Sequence, residues 1–221
     1  MSDTDTFINE VNEEVRRDNL FKMMKRYGWI AVVVILGIVG GATYNEYSKA
    51  SARGAAETLG DDILTALAQN DAGARATTLA GISAKTPGGD AIVQFLAATA
   101  QAEAGDTDKA VASLNAVSQN GDIPEIYRQI ASFKALTLQS ATLPVADRRL
   151  QFEALAQPGA RLRLLAEEQL ALIEISEGQV DAALTRLQAM LQDAEIDTGL
   201  QQRVSRVIVA LGAEPDVRSG I

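Results

Sequence analysis

Apolar residues along this chain follow two patterns. From Tyr27 to Asn45 the run YGWIAVVVILGIVGGATYN carries no charge and is apolar on every side. Beyond it, apolar residues recur at three- and four-residue spacing to the end of the sequence, interrupted by Pro, Gly and Asp. At a rise of about 1.5 Å per residue the first run extends roughly 28 Å as a helix, close to the ~30 Å hydrocarbon thickness of a bilayer. Soluble helices are rarely apolar all round over such a length. Tyr27 and Trp29 at one end, and Tyr44 and Tyr47 at the other, put amphipathic rings at headgroup level. The pattern predicts one transmembrane helix over 27–45.

The flanks give that helix a direction. Arg16, Arg17, Lys22, Lys25 and Arg26 precede it, whereas only Lys49 and Arg53 follow within a comparable distance. The positive-inside bias then sets residues 1–26 in the cytoplasm and the region from 46 onward outside. A cleaved signal peptide, cut near Gly40-Gly41-Ala42, is the competing reading. The long leader of mixed charge and the length of the apolar run favour a retained anchor. Gly37 and Gly41 form a G-x-x-x-G pair, a candidate for close helix–helix contact, although glycine is common in such helices anyway. In the tail, Ile8, Val11 and Val15 share one face of a short amphipathic helix, which reads as a solvated helix extending the anchor, with a membrane-surface or partner-docking stub the alternative.

Residues 46–221 are rich in Ala, Leu, Gln, Glu and Asp, with no β-branched or aromatic run that reads as a strand. The periodicity predicts helices near 47–69, 72–85, 89–104, 107–118, 123–140, 145–156, 160–177, 180–192 and 198–211. Five prolines (Pro87, Pro124, Pro144, Pro158, Pro215) fall between them. Short connections make neighbours antiparallel hairpins. Two hairpins match at an offset of 73: Ala98, Gly105 and Ala110 correspond to Ala171, Gly178 and Ala183. The alanines let paired helices approach, and the glycines permit a tight turn. Two repeats of about 34 residues plus a short insertion give that offset, which is the tetratricopeptide pattern in weakened form. A generic antiparallel bundle is the alternative. The unit between the two, about 125–158, is degenerate, its turn expanded around Thr142-Leu143-Pro144. Hairpins of this kind bury their apolar faces only by stacking. The expected fold is all-α: a single transmembrane helix followed by a degenerate tetratricopeptide-like helical-hairpin solenoid, with an extended surface for polypeptide.

Composition removes whole classes of chemistry. The 221 residues include no His and no Cys, and 29 acidic against 20 basic side chains leave a net charge of −9. Thiolate and Ser-His-Asp nucleophiles, disulfides and the usual zinc sites are excluded. Clustered Lys and Arg for a phosphate backbone are lacking, so nucleic acid is not an expected partner. Asp61-Asp62 and Glu167-Glu168 read as solvated helix faces. Gly88-Gly89 reads as a turn; no phosphate-binding loop motif occurs. Arg148, Arg149, Arg161 and Arg163 read as helix-start or solvated positions, with a hold on an acidic partner segment the alternative. Tyr127, Phe133 and Phe152 read as core, with groove lining the alternative. Neither an enzyme, nor a cofactor, nor a metal or small-molecule site is expected.

Asn12-Glu13-Glu14-Val15-Arg16-Arg17, Lys25-Arg26-Tyr27-Gly28, the apolar helix, Tyr44-x-x-Tyr47 and the eroded helical repeats together resemble the YfgM-like family of ancillary subunits of the bacterial Sec translocon. The resemblance implies a single-span inner-membrane protein with a periplasmic repeat domain at 46–221. It also implies two protein partners: the translocon channel, and a membrane-bound periplasmic chaperone of the peptidyl-prolyl isomerase-like type. An envelope scaffold unrelated to secretion is the alternative.

Overall fold

In the computed structural model, capping residues and prolines mark several of the helix starts. The structure describes residues 3–216, with side chains from 24 onward except those of 27, 28, 31 and 32. Among the described residues there are nine helices and no strand: α1 (Asp3–Leu67), α2 (Ala72–Ala80), α3 (Pro87–Glu103), α4 (Thr107–Gln119), α5 (Glu125–Leu138), α6 (Val145–Leu155), α7 (Arg163–Ser176), α8 (Val180–Leu191) and α9 (Thr198–Ala210). Asp71, Thr86 and Asp197 cap α2, α3 and α9 by accepting from the backbone N–H groups of Ala74, Gly89 and Leu200. Pro87 opens α3, where its missing N–H has no intrahelical partner to lose. Pro124 and Pro144 stand directly before α5 and α6.

Two compact units divide the chain, Met1–Thr58 and Leu59–Ile221. In the first, α1 runs without a break through the segments expected to be a tail, a membrane span and the start of a repeat helix. No proline interrupts it, and Gly37, Gly40 and Gly41 together weaken rather than end a helix, at roughly 0.5–1 kcal/mol each.

The transmembrane assignment for 27–45 needs correction. Among the described residues no helix is long and apolar enough to cross a membrane. The described apolar block, Val33–Val39, is soon followed by glycines, Thr43, Tyr44 and Asn45, and then by Glu46 and Lys49. A bilayer-length window that starts at Val33 therefore takes in charge and loses mean hydropathy. Tyr27, Gly28, Ala31 and Val32 lie outside the residues whose side chains are described, as does the expected amphipathic stripe of Ile8, Val11 and Val15. The correction extends to the inner-membrane, single-pass localisation inferred from that span.

In the second unit each hydrophobic cluster is shared by consecutive helices. Ala66, Ala76, Leu79, Ala97 and Ala100 join the end of α1 to α2 and α3. Ala98, Ala110, Leu114, Val117, Ala131 and Ala135 join α3, α4 and α5. Leu136, Phe152, Ala166, Leu170 and Ile173 carry the core on through α6 to α7. Ala171, Leu187, Leu191, Leu200, Val204 and Ile208 close it through α8 and α9. A core handed from neighbour to neighbour is the packing logic of a helical repeat array.

Candidate functional site

The repeat register is visible in burial. Ala97, Ala131, Leu170 and Val204 are all at most 2% exposed and occupy one position of α3, α5, α7 and α9. They are spaced by 34, 39 and 34 residues. These four are the first helices of successive hairpins; α4, α6 and α8 are the second helices of the hairpins that α3, α5 and α7 open. Part of the longer central spacing lies in the α5–α6 turn, which takes residues 139–144, whereas the α3–α4 and α7–α8 turns take only 104–106 and 177–179.

The two short turns are built alike. Gly105 has φ +85° and Gly178 φ +76°, in the left-handed region where a Cβ is disfavoured. Asp106 N–H bonds Gln101 C=O at 2.8 Å, and Gln179 N–H bonds Glu174 C=O at 2.8 Å, the long-range bond of a Schellman cap. Gly212, 34 residues after Gly178, ends α9 the same way, with φ +83° and Ala213 N–H bonded to Ile208 C=O at 3.1 Å. Ala98, Ala110, Ala171 and Ala183 are buried at the helix–helix contacts of these two hairpins. Gly37 and Gly41 lie in α1, with nothing within 4 Å of the space a Cβ would take at either.

A polar latch repeats at the same offset. Ser113 donates to Gln101 at 3.0 Å across α3 and α4. Arg186 donates to Glu174 across α7 and α8, through its Nε at 3.1 Å and a terminal nitrogen at 2.7 Å. Glu174 is only 4% exposed. Its carboxylate has a second cation, Arg149 on α6, which also pairs with Glu177. Arg186 further contacts Glu167. Arg203 of α9 grips Glu168 through two bonds, at 2.9 and 3.0 Å. Arg163 reaches Asp193 and Glu195, each at 2.8 Å. The expectation of solvated faces therefore fails for Glu167 and Glu168, which tie α7 to α8 and α9, and holds for Asp61 and Asp62, which are exposed; Arg163 does stand at a helix start, that of α7, and like Arg149 of α6 it is also ion-paired.

These contacts shift titration. Hydrogen bonding to Glu174 and then Glu167 holds the Arg186 guanidinium above its ordinary range, against the effect of burial. The Asp193 carboxyl is held below its usual value, chiefly by the backbone N–H of Glu195 and also by Arg163, while burial opposes both.

Between α3 and α5 lies a groove of about 520 Å³. Ala98, Ala102, Leu114, Phe133 and Leu138 line it with apolar surface; Thr99, Glu103, Lys134 and Thr137 are its polar members. Phe133 also packs edge-on against Phe152, with centroids 5.7 Å apart, so it serves both groove and core. Phe152 is wholly core, and Tyr127 packs near Phe95 in the α3–α5 cluster. Gly88 and Gly89 lie in the first turn of α3 rather than in a free turn, and Gly89 is pressed against Ala84 and Leu59. Thr99, Phe133 and Leu172 share one register position on α3, α5 and α7, and Leu172 is 42% exposed.

The model of the tetratricopeptide repeat-like domain family matches residues 22–142, more than half of the chain. The chain belongs to the tetratricopeptide repeat-like family. No curated protein and no solved structure matches it. The family match ends in the α5–α6 turn, where the repeat spacing lengthens, yet α7, α8 and α9 keep the register of the tetratricopeptide-like helices before them. Domains of this family generally mediate protein–protein interaction, and the fold typically serves as a scaffold rather than an enzyme.

Proposed function

We propose that this chain is a polypeptide-binding scaffold, with its binding face carried by the first helices of successive hairpins. The groove between α3 and α5 supports this reading most directly: apolar surface stays open there although the adjoining cluster is well packed. Unfilled apolar surface between rigid helices is where partner side chains gain most from leaving water. The α3–α4 hairpin behind it is closed by a Schellman cap and by the Ser113–Gln101 hydrogen bond, so the face is pre-organised and loses little freedom on binding.

The narrower reading names the partners: a protein-translocation channel and a periplasmic chaperone of the peptidyl-prolyl isomerase-like type. It draws on the N-terminal segment, Asn12–Arg17 and Lys25–Gly28, and on the eroded repeats.

Site-specific photo-cross-linking tests both levels. A cross-linker at Thr99 or Leu172 should capture discrete protein partners in cells, whereas one at the exposed Ala116 on α4 should not. Equal capture at all three positions, or none, would overturn the scaffold reading. Capture of cell-wall or division enzymes instead of a channel or chaperone would overturn the narrower one.

A further inference from the structure

We infer that the α3–α5 groove receives an amphipathic helix presenting an apolar face and a flanking carboxylate. This rests on the scaffold reading and adds the conformation and chemistry of the bound segment.

The groove walls offer few hydrogen-bond donors to a peptide backbone. Thr99 Oγ1 donates to Phe95 C=O at 2.8 Å, and Thr137 Oγ1 donates to Phe133 C=O at 2.9 Å. Both hydroxyl protons are thus spent inside their own helices. Glu103 is pinned by Arg75. The backbones of α3 and α5 are satisfied by their helical bonds. Lys134, which has no ion-pair or hydrogen-bond partner among the described residues, is the one donor on the groove walls left to engage. An extended segment laid here would bury carbonyls with a single side-chain donor to pair them, at roughly 1–3 kcal/mol for each left unpaired. A helix brings its own backbone bonds and needs only apolar contact, supplied by side chains at i, i+3, i+4 and i+7. The apolar floor of Ala102, Leu114, Phe133 and Leu138 fits that stripe. Lys134 at the rim sets the sign of the flanking charge, since an acidic group beside it gains an ion pair and a basic one is repelled.

The probe is a capped, fluorescein-labelled peptide of roughly 18 residues, long enough to hold helical structure. It has Leu at the stripe positions and Glu on the flank. Two relatives of similar composition accompany it, one broken by two central prolines and one with Lys in place of Glu. Binding is measured by anisotropy on the full chain and on Thr99→Trp, Thr137→Trp and Lys134→Glu, with circular dichroism to show that each variant folds. Thr99 and Thr137 are exposed, so either Trp fills the groove from the solvent side, and the two variants back each other up.

The expected result is saturable binding of the Glu peptide. The proline form should bind at least about tenfold more weakly, and each Trp variant should lose about the same factor. Lys134→Glu should invert the preference between the Glu and Lys peptides. No binding, equal binding of the proline form, or binding that survives both Trp substitutions overturns the inference. A discrete partner cross-linked at Leu172, with neither peptide bound, would sink this inference and leave the scaffold reading standing.

Discussion

At the level of single residues the repeat turns make the sharpest demands. Gly178 sits at φ +76° with no neighbour within 4 Å of a prospective Cβ, so strain rather than space opposes substitution. Gly178→Ala should destabilise the protein by about 1–2 kcal/mol, as should Gly105→Ala. Gly121→Ala, at ordinary φ and equally uncrowded, should stay within about 0.5 kcal/mol; denaturant unfolding separates the three. These glycines were legible in sequence because each stands alone between two apolar periodic runs. Glu174 was not. Hydrophobic periodicity treats any carboxylate as a solvent-facing position, and here a carboxylate occupies an interior one, beside Arg186 and Arg149. The missed signal was pairwise: Gln101 and Ser113 stand twelve apart, as do Glu174 and Arg186, 73 residues on. Glu174→Ala removes the acceptor and leaves two half-buried guanidinium groups short of a partner. It should cost about 1–3 kcal/mol, more than Glu195→Ala, whose carboxylate is largely exposed and contributes ~0–1 kcal/mol.

Among the elements, the α5–α6 hairpin departs most from its neighbours. Its six-residue turn separates two helices that meet over a shorter stretch than α3 and α4 or α7 and α8 do. Phe152 fills the widened space, together with Phe133, Leu143 and Val145. Phe152→Ala should therefore cost about 3–5 kcal/mol, while Leu150→Ala, at 67% exposed on the same helix, should be near neutral by thermal unfolding. Helix positions were readable because prolines punctuate the apolar periodicity, with Pro87, Pro124 and Pro144 at the starts of α3, α5 and α6. The continuity of α1 was readable as well, because no proline or turn signal separates the tail, the uncharged run and the helix that continues it. The loop after α8 adds a pH dependence. Asp193 titrates lower in the folded protein than in the unfolded chain, where a value of about 3.9 is expected. Its contribution to stability is present above that unfolded value and is lost as the pH falls through the lower folded one. Asp193→Asn should flatten the decline in melting temperature below about pH 4, and an unchanged decline would contradict the assignment.

For the whole molecule, function rests on a surface rather than on a cluster of reactive groups. The array was legible because two hairpins share a 73-residue offset. The groove was not, because α3 and α5 come together only in the folded array, and no local pattern marks which apolar residues the core leaves uncovered. Phe133 illustrates this, as its spacing fits core and its position serves both. The most direct measurement compares the partners of the full chain with those of a Thr99→Trp, Leu172→Asp double variant, by quantitative mass spectrometry after gentle purification from the same cells. Both substitutions lie on exposed positions of the first-helix face, so the melting temperature should hold. The account predicts that one or a few partners fall by about tenfold or more in the variant. An unchanged partner set, with the variant folded as before, would contradict it.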